Sequence, residues 1–187
     1  MKKLVLVALA GAVVAHLWGM LSWMALPWHY SDFKQFSNDR VVADALTTEA
    51  SEKGLYLLPN FGPEVHKEGP EQELFHTFMK EGPYAYMVVV PEGVEPNMAV
   101  MAGCGFLLNL FFAFMLYWLL SQTKITDDKN RILFIAIAGT LGAIHPLISY
   151  TNWWFFPIGT AIVGILDYAI MWGLAGTVMV KLNNKLS

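Results

Sequence analysis

Residues 4–26, LVLVALAGAVVAHLWGMLSWMAL, form an unbroken apolar run of 23 residues behind Lys2 and Lys3. At ~1.5 Å per residue a helix of this length reaches ~35 Å, enough to cross a hydrocarbon core of ~30 Å. A basic start followed by an apolar stretch is also the pattern of a secretory signal. The run is longer than the roughly 7–15 residues of a cleavable apolar region, so it is read as a retained span.

Three more runs of this kind follow, at 98–121, 132–150 and 155–180. The third is interrupted by His145-Pro146, and Ser149–Trp154 reads as the turn that follows it. Backbone polar groups in lipid must be satisfied within the segment, so these runs are expected to be helices. The expected fold is a membrane all-α protein: a four-transmembrane-helix bundle with a small α+β extracytoplasmic domain between helices 1 and 2. Residues 1–26 carry the first helix, 27–97 the extracytoplasmic domain, and 98–187 helices 2–4 with a cytosolic loop at 122–131.

Charge supports this division. Charged residues make up 14% of the chain, against about 25% in ordinary soluble domains. Residues 27–97 hold 12 of the 15 acids and 5 of the 12 basic residues. The other basic residues are Lys2, Lys3, Lys124, Lys129, Arg131, Lys181 and Lys185, all at flanks of the apolar runs. By the positive-inside rule both termini and the 122–131 loop lie in the cytosol. Residues 27–97 are then on the outer face of the membrane. Trp23, Trp28, Tyr150, Trp153 and Trp154 would form an aromatic belt at the outer interface. An acidic outer domain excludes nucleic acid as a partner, because phosphate binding needs a basic face. The expected partners are membrane lipids and other membrane-protein subunits.

The outer segment reads as folded. Ser37-Asn38-Asp39 can cap a helix running to about Ser51. Leu55–Leu58 and Tyr84–Val90 read as strands that can pair. Pro70–Lys80 reads as a second helix with Pro at its start. Seventy residues make a marginal core alone, so this domain is expected to rest on the helices or on a partner.

Each span holds one strongly polar residue near its middle: His16, Asn109, His145 and Asp167. Counted from Lys3, Lys124, Arg131 and Lys181, they lie 13, 15, 14 and 14 residues deep, near ~20 Å. Residues three and four positions away are small: Ala12 and Gly19, Gly105 and Ala113, Gly142 and Ser149, Gly164. Small residues mark faces where membrane helices approach closely, so the four are expected to form a buried polar layer. An ionisable group at such depth costs about 2.5–3.5 kcal/mol even on the lenient insertion scale. Asp167 is therefore the residue to explain, either as a hydrogen-bonded clasp or as a proton relay with a histidine.

His16 and His145 on different helices are the minimum for bis-histidine haem ligation. No Cys-x-x-Cys-His and no basic cluster for propionates accompany them. His29, His66 and His76 stand among carboxylates without a recognised metal-ligand spacing. The single cysteine, Cys104, lies in an apolar run and can form no intrachain disulfide. No nucleophile elbow, Walker loop, zinc-protease or dinucleotide motif is present, which argues against an enzyme.

Three stretches carry a resemblance: WGMLSWMALPWH at 18–29, GLYLLPN at 54–60 and GPYAYMVVVPEG at 82–93. Together they resemble a group of small uncharacterised bacterial four-helix inner-membrane proteins. That resemblance implies a bacterial membrane location and carries no functional residue with it. The leading functional expectation is a non-catalytic accessory or assembly subunit of a larger membrane complex. The rivals are a small proton-coupled transporter or channel using the His/Asp layer, and a haem- or quinone-binding redox subunit.

Overall fold

The computed structural model describes residues 2–186 and divides the chain into two units. One comprises the residues up to Phe33 together with those from Pro96 onward; the other is Lys34–Glu95. The short segment 27–33 therefore groups with the helices and not with the intervening unit.

The helical unit is built from α1 (Lys2–Ala25), α4 (Met98–Ser121), α5 (Asp128–Trp154) and α6 (Ile158–Lys185). All four are long and apolar enough to cross a membrane. Their ends follow from local chemistry. Leu26 precedes a proline, which disfavours helical backbone there; it is extended, and Pro27–Tyr30 forms a single 3-10 turn. Asn97 caps α4 by accepting from Val100 N at 3.1 Å, and Asp127 caps α5 by accepting from Asn130 N at 3.0 Å. Such caps satisfy backbone donors that the first turn leaves without partners.

The third apolar run departs from expectation. Its helix is not broken at His145-Pro146 but continues to Trp154, with Pro146 inside it. The expected turn at Ser149–Trp154 is thus the last part of α5. The reversal is confined to Phe155–Pro157, where Phe155 takes a left-handed conformation (φ 58°) and Phe156 N donates to Tyr150 O at 3.3 Å. An internal proline removes one helical hydrogen bond, and the bonds on either side carry the helix past it.

Packing centres on α6. It lies against α1 and α5, α1 also packs on α4, and α4 and α5 touch only slightly. The contacts are large side chains set into glycine notches. A Cβ on Gly11 of α1 would stand 2.4 Å from Met179 Sδ, and one on Gly139 of α5 would stand 2.3 Å from Trp172 Cγ. Met179 and Trp172 are both fully buried on α6. In return α6 receives Ile135 at Gly176, where a Cβ would come within 3.1 Å of it. Near the 122–127 loop, polar groups add a second tie. Arg131 donates to Asn184 Oδ1 at 2.9 Å, Asn184 Nδ2 donates to Asp128 at 2.7 Å, and the Tyr117 hydroxyl donates to Asn183.

The Lys34–Glu95 unit holds α2 (Asp39–Glu49), β1 (Gly54–Leu58), α3 (Pro70–Glu81) and β2 (Ala85–Val89). The two strands pair antiparallel, with Gly54 opposite Val89 and Leu58 opposite Ala85. Asn38 caps α2 through Arg40 N and Val41 N. Phe61 packs on Phe75 and Phe78 of α3, at ring distances of 6.1 and 5.7 Å. The core is thin: among the described residues of this unit only Ala50, Pro59 and Val89 are buried.

The glycine notches give a direct stability test. Gly139→Ala drives a methyl group into the base of the Trp172 ring, not into the end of a flexible chain. It is expected to cost about 1–3 kcal/mol, as overpacking does, and to lower the midpoint of thermal unfolding in detergent. Gly142→Ala, one turn along α5, meets nothing within 4 Å and is expected to leave that midpoint unchanged or slightly raised.

Candidate functional site

Asp167 is 7% exposed, and α6 presents it to α1. Trp18 and Ser22 are four residues apart on α1 and so share one face. Both reach the same carboxylate oxygen: Trp18 Nε1 donates to Asp167 Oδ1 at 2.7 Å, and the Ser22 hydroxyl donates to it at 2.7 Å. Pro27 then turns the chain back over the end of α1. This return lays Trp28 and His29 on Ser22, with Trp28 Nε1 donating to Ser22 Oγ at 3.0 Å and His29 Nε2 lying 2.9 Å from it. His29 Nε2 also stands 3.6 Å from Asp167 Oδ2. The imidazole stacks on Trp23, with ring centroids 4.0 Å apart and planes within 4°.

Hydrogen-bond capacity assigns the protons. A serine hydroxyl has one donor and two acceptor sites, and an indole N–H can only donate. Ser22 gives its hydrogen to Asp167 and accepts from Trp28. Its remaining lone pair takes the His29 Nε2–H, so the network places the His29 proton on Nε2. Ser22 is 0% exposed, and all three of its hydrogen-bonding sites are filled. The same 27–33 segment is held to α6 a second time, by Thr160 Oγ1 donating to Asp32 Oδ2 at 2.9 Å. The Asp32 carboxylate thereby sits at the positive end of the α6 dipole.

Serine, histidine and aspartate together suggest a nucleophilic triad, but the geometry is different. In such a triad the imidazole bridges the other two through its two separate nitrogens. Here one nitrogen faces both partners, and the serine hydrogen is committed to the aspartate. The arrangement can hold helices together and can pass a proton along a hydrogen-bonded chain. It does not present a nucleophile to solvent.

The structure separates the four polar residues of the expected layer. Asp167 is buried among Trp18, Ser22 and His29. His16 lies two positions from Trp18, about 200° round the helix, and faces α4, in edge contact with Phe106 at 5.6 Å. Asn109 is half-buried on α4, one turn from the buried Ala113. His145 is exposed, two positions from the buried Ala143. No hydrogen bond among the described residues joins any two of the four. His16 and His145 do not converge, so they do not fit a haem between them. Among the described residues no three His, Cys, Asp or Glu side chains gather to hold a metal ion. Of the expected belt, Trp23, Tyr150, Trp153 and Trp154 are exposed, whereas the indole N–H of Trp28 is turned inward to Ser22.

Depth counted from Lys181 sets Asp167 level with the wrong residues of α1. The helix continues to Lys185. Met179 lies against Gly11 and Asp167 against Trp18 and Ser22, so Lys185, not Lys181, stands level with Lys3. Ser22 had a readable signal: it continues the buried stripe of Ala8, Ala12 and Ala15 at the same helical spacing. His29 lies beyond the end of the helix, where periodicity says nothing.

No protein-family model, curated protein or solved structure matches this chain.

If the site is a clasp, its variants order by how many donors they strand. Asp167→Asn keeps an oxygen for Trp18 and Ser22 and is expected to leave the fold nearly intact. Asp167→Leu removes the acceptor from both, and at the ~0.6–1.7 kcal/mol measured per interhelical bond is expected to cost about 1–3 kcal/mol. Thermal unfolding of both variants in detergent checks the order; equal stability of the two would remove the clasp.

Proposed function

We propose that this protein is a bacterial inner-membrane protein whose four helices span the bilayer. Both termini are cytosolic, the Lys34–Glu95 unit is periplasmic, and the chain serves as a non-catalytic accessory or assembly subunit of a larger membrane complex. The orientation is supported by connectivity. Lys2 and Lys3, Lys124, Lys129 and Arg131, and Lys181 and Lys185 all fall at one end of the helical unit, the end the positive-inside rule puts in the cytosol.

The observation that carries the subunit reading is the incomplete Lys34–Glu95 unit. A two-stranded sheet is marginal without a third strand or a covering layer. Here the cross-strand partners Leu55 and Val88 are 61% and 68% exposed, while the unit buries little of its own. An exposed apolar patch with polar surroundings marks a protein interaction site. Glu52, Glu92 and Glu95 lie next to the two strands in sequence and suit a partner with basic residues around an apolar centre.

Two measurements test this. Single cysteines at Lys67 and Lys129, in a Cys104→Ser background, should label differently with an impermeant thiol reagent on intact cells. Position 67 should react and position 129 should not; the reverse pattern overturns the orientation. Purified in mild detergent, the native protein should carry a partner in fixed ratio. Leu55→Glu with Val88→Glu should release it at least tenfold without lowering the yield of folded protein. A native protein that runs alone would refute the subunit role.

A further inference from the structure

The Asp167 site has a property that a clasp alone does not require. Its hydrogen bonds form a continuous chain, from His29 Nε2 to Ser22 Oγ at 2.9 Å and from Ser22 Oγ to Asp167 Oδ1 at 2.7 Å. A chain of this kind can be fully satisfied with its donors pointing in either direction. In the arrangement described above, His29 donates to Ser22 and Ser22 donates to Asp167. In the reversed arrangement, a protonated Asp167 Oδ1 donates to Ser22, and Ser22 donates to His29 Nε2. Trp18 and Trp28 are donors only, and they serve both arrangements unchanged: Trp18 on Asp167 Oδ1, Trp28 on Ser22 Oγ. Each arrangement fills all three hydrogen-bonding sites of the buried Ser22 Oγ, so in neither is the serine left unsatisfied.

We propose that His29, Ser22 and Asp167 form a proton-binding site, in which a proton taken up by the imidazole of the 27–33 turn is delivered through the serine to the buried aspartate. His29 Nδ1 makes no hydrogen bond among the described residues and is not sealed within the protein. A proton arriving there makes an imidazolium. The Nε2 proton passes to Ser22 Oγ as the serine hydrogen passes to Asp167 Oδ1. The products are a neutral carboxylic acid and a neutral imidazole protonated on Nδ1. One proton enters, two N–H or O–H bonds break along the chain and two form, and no other reactant is needed.

The surroundings restrict the exchange to these groups. From α6 the titratable group that faces His29 is Asp167. From α1 it meets Ser22 and Trp23, neither of which titrates near neutrality; His16 is turned to α4. In its own turn, Tyr30 packs edge-on against Trp23, and Asp32 is held by Thr160. The inference does not depend on the subunit reading and would hold for an isolated chain.

Infrared difference spectroscopy of the whole protein in detergent, stepped across about pH 5–8, reads both ends of the chain. The carboxylic acid C=O band reports Asp167, and ring modes report whether the imidazole carries its proton on Nε2 or Nδ1. Asp167→Asn assigns the carboxyl band by removing it, and His29→Gln assigns the ring modes. In the native protein the two signals are expected to follow one pH profile. In Ser22→Ala, which cuts the chain, they are expected to separate into two. Separate profiles in the native protein would overturn the proposal, and that result needs no variant to fold. Coincident profiles that survive in folded Ser22→Ala would overturn it too, by showing that the serine carries nothing.

Discussion

A carboxyl group withdrawn from water has to be given hydrogen-bond donors, and the donors have to come from elsewhere in the chain. Asp167 imposes that demand on the helical unit. Its own helix cannot meet it, because the backbone N–H groups around it are already bonded within α6. The donors come from Trp18 and Ser22 of α1, and Ser22 in turn is oriented by Trp28 and His29. One carboxylate thus fixes the register of α1 against α6 and folds the residues after α1 back onto the helix they have just left. The glycine notches at Gly11 and Gly139 are consistent with the same register. They bring the axes close enough for bonds of ordinary length, with Met179 and Trp172 filling the space.

The two ends of the helical unit are held by different means. At the 122–127 loop, Arg131, Asp128 and Asn184 form an exposed network in which charge is paired near solvent. Exposed pairs of this kind contribute little to stability. At the other end the polar groups are buried and every bond matters, because the alternative for each group is an empty partner in an apolar surrounding.

Four apolar runs, one Asn-capped helix, one helix opened by a proline and two short strands were legible because each has a local cause: length, periodicity, a capping Asn or a bounding proline. Helix ends were less so. The carriage of α5 past Pro146 to Trp154 depends on hydrogen bonds to either side of the proline that no local rule counts. Asp167 was legible as a costly residue, but its partners were not. Depth along α6 counted from Lys181 is short by a turn, because the helix extends to Lys185. Trp28 reads in isolation as an interfacial tryptophan; only the reversal at Pro27 shows its N–H directed at a serine six residues earlier. His29 has no periodic relation to anything, since the helix that would define one stops at Ala25.

The placement of bulky side chains on α6 and of notches on its neighbours has a consequence for how the protein is made. Ribosomes deliver α1 first and α6 last of the described helices. Until α6 arrives, Gly11 and Gly139 are open grooves. Trp18 and Ser22 lack the carboxylate they serve, and the 27–33 turn has neither Asp167 nor Thr160 to hold it. The early helices are therefore an unfinished mould, and the final helix is the casting that closes it. Nascent chains stalled before residue 167 would present these unmet groups to whatever insertion or quality-control machinery surrounds them. Maturation would be completed by a single late event instead of by successive pairing.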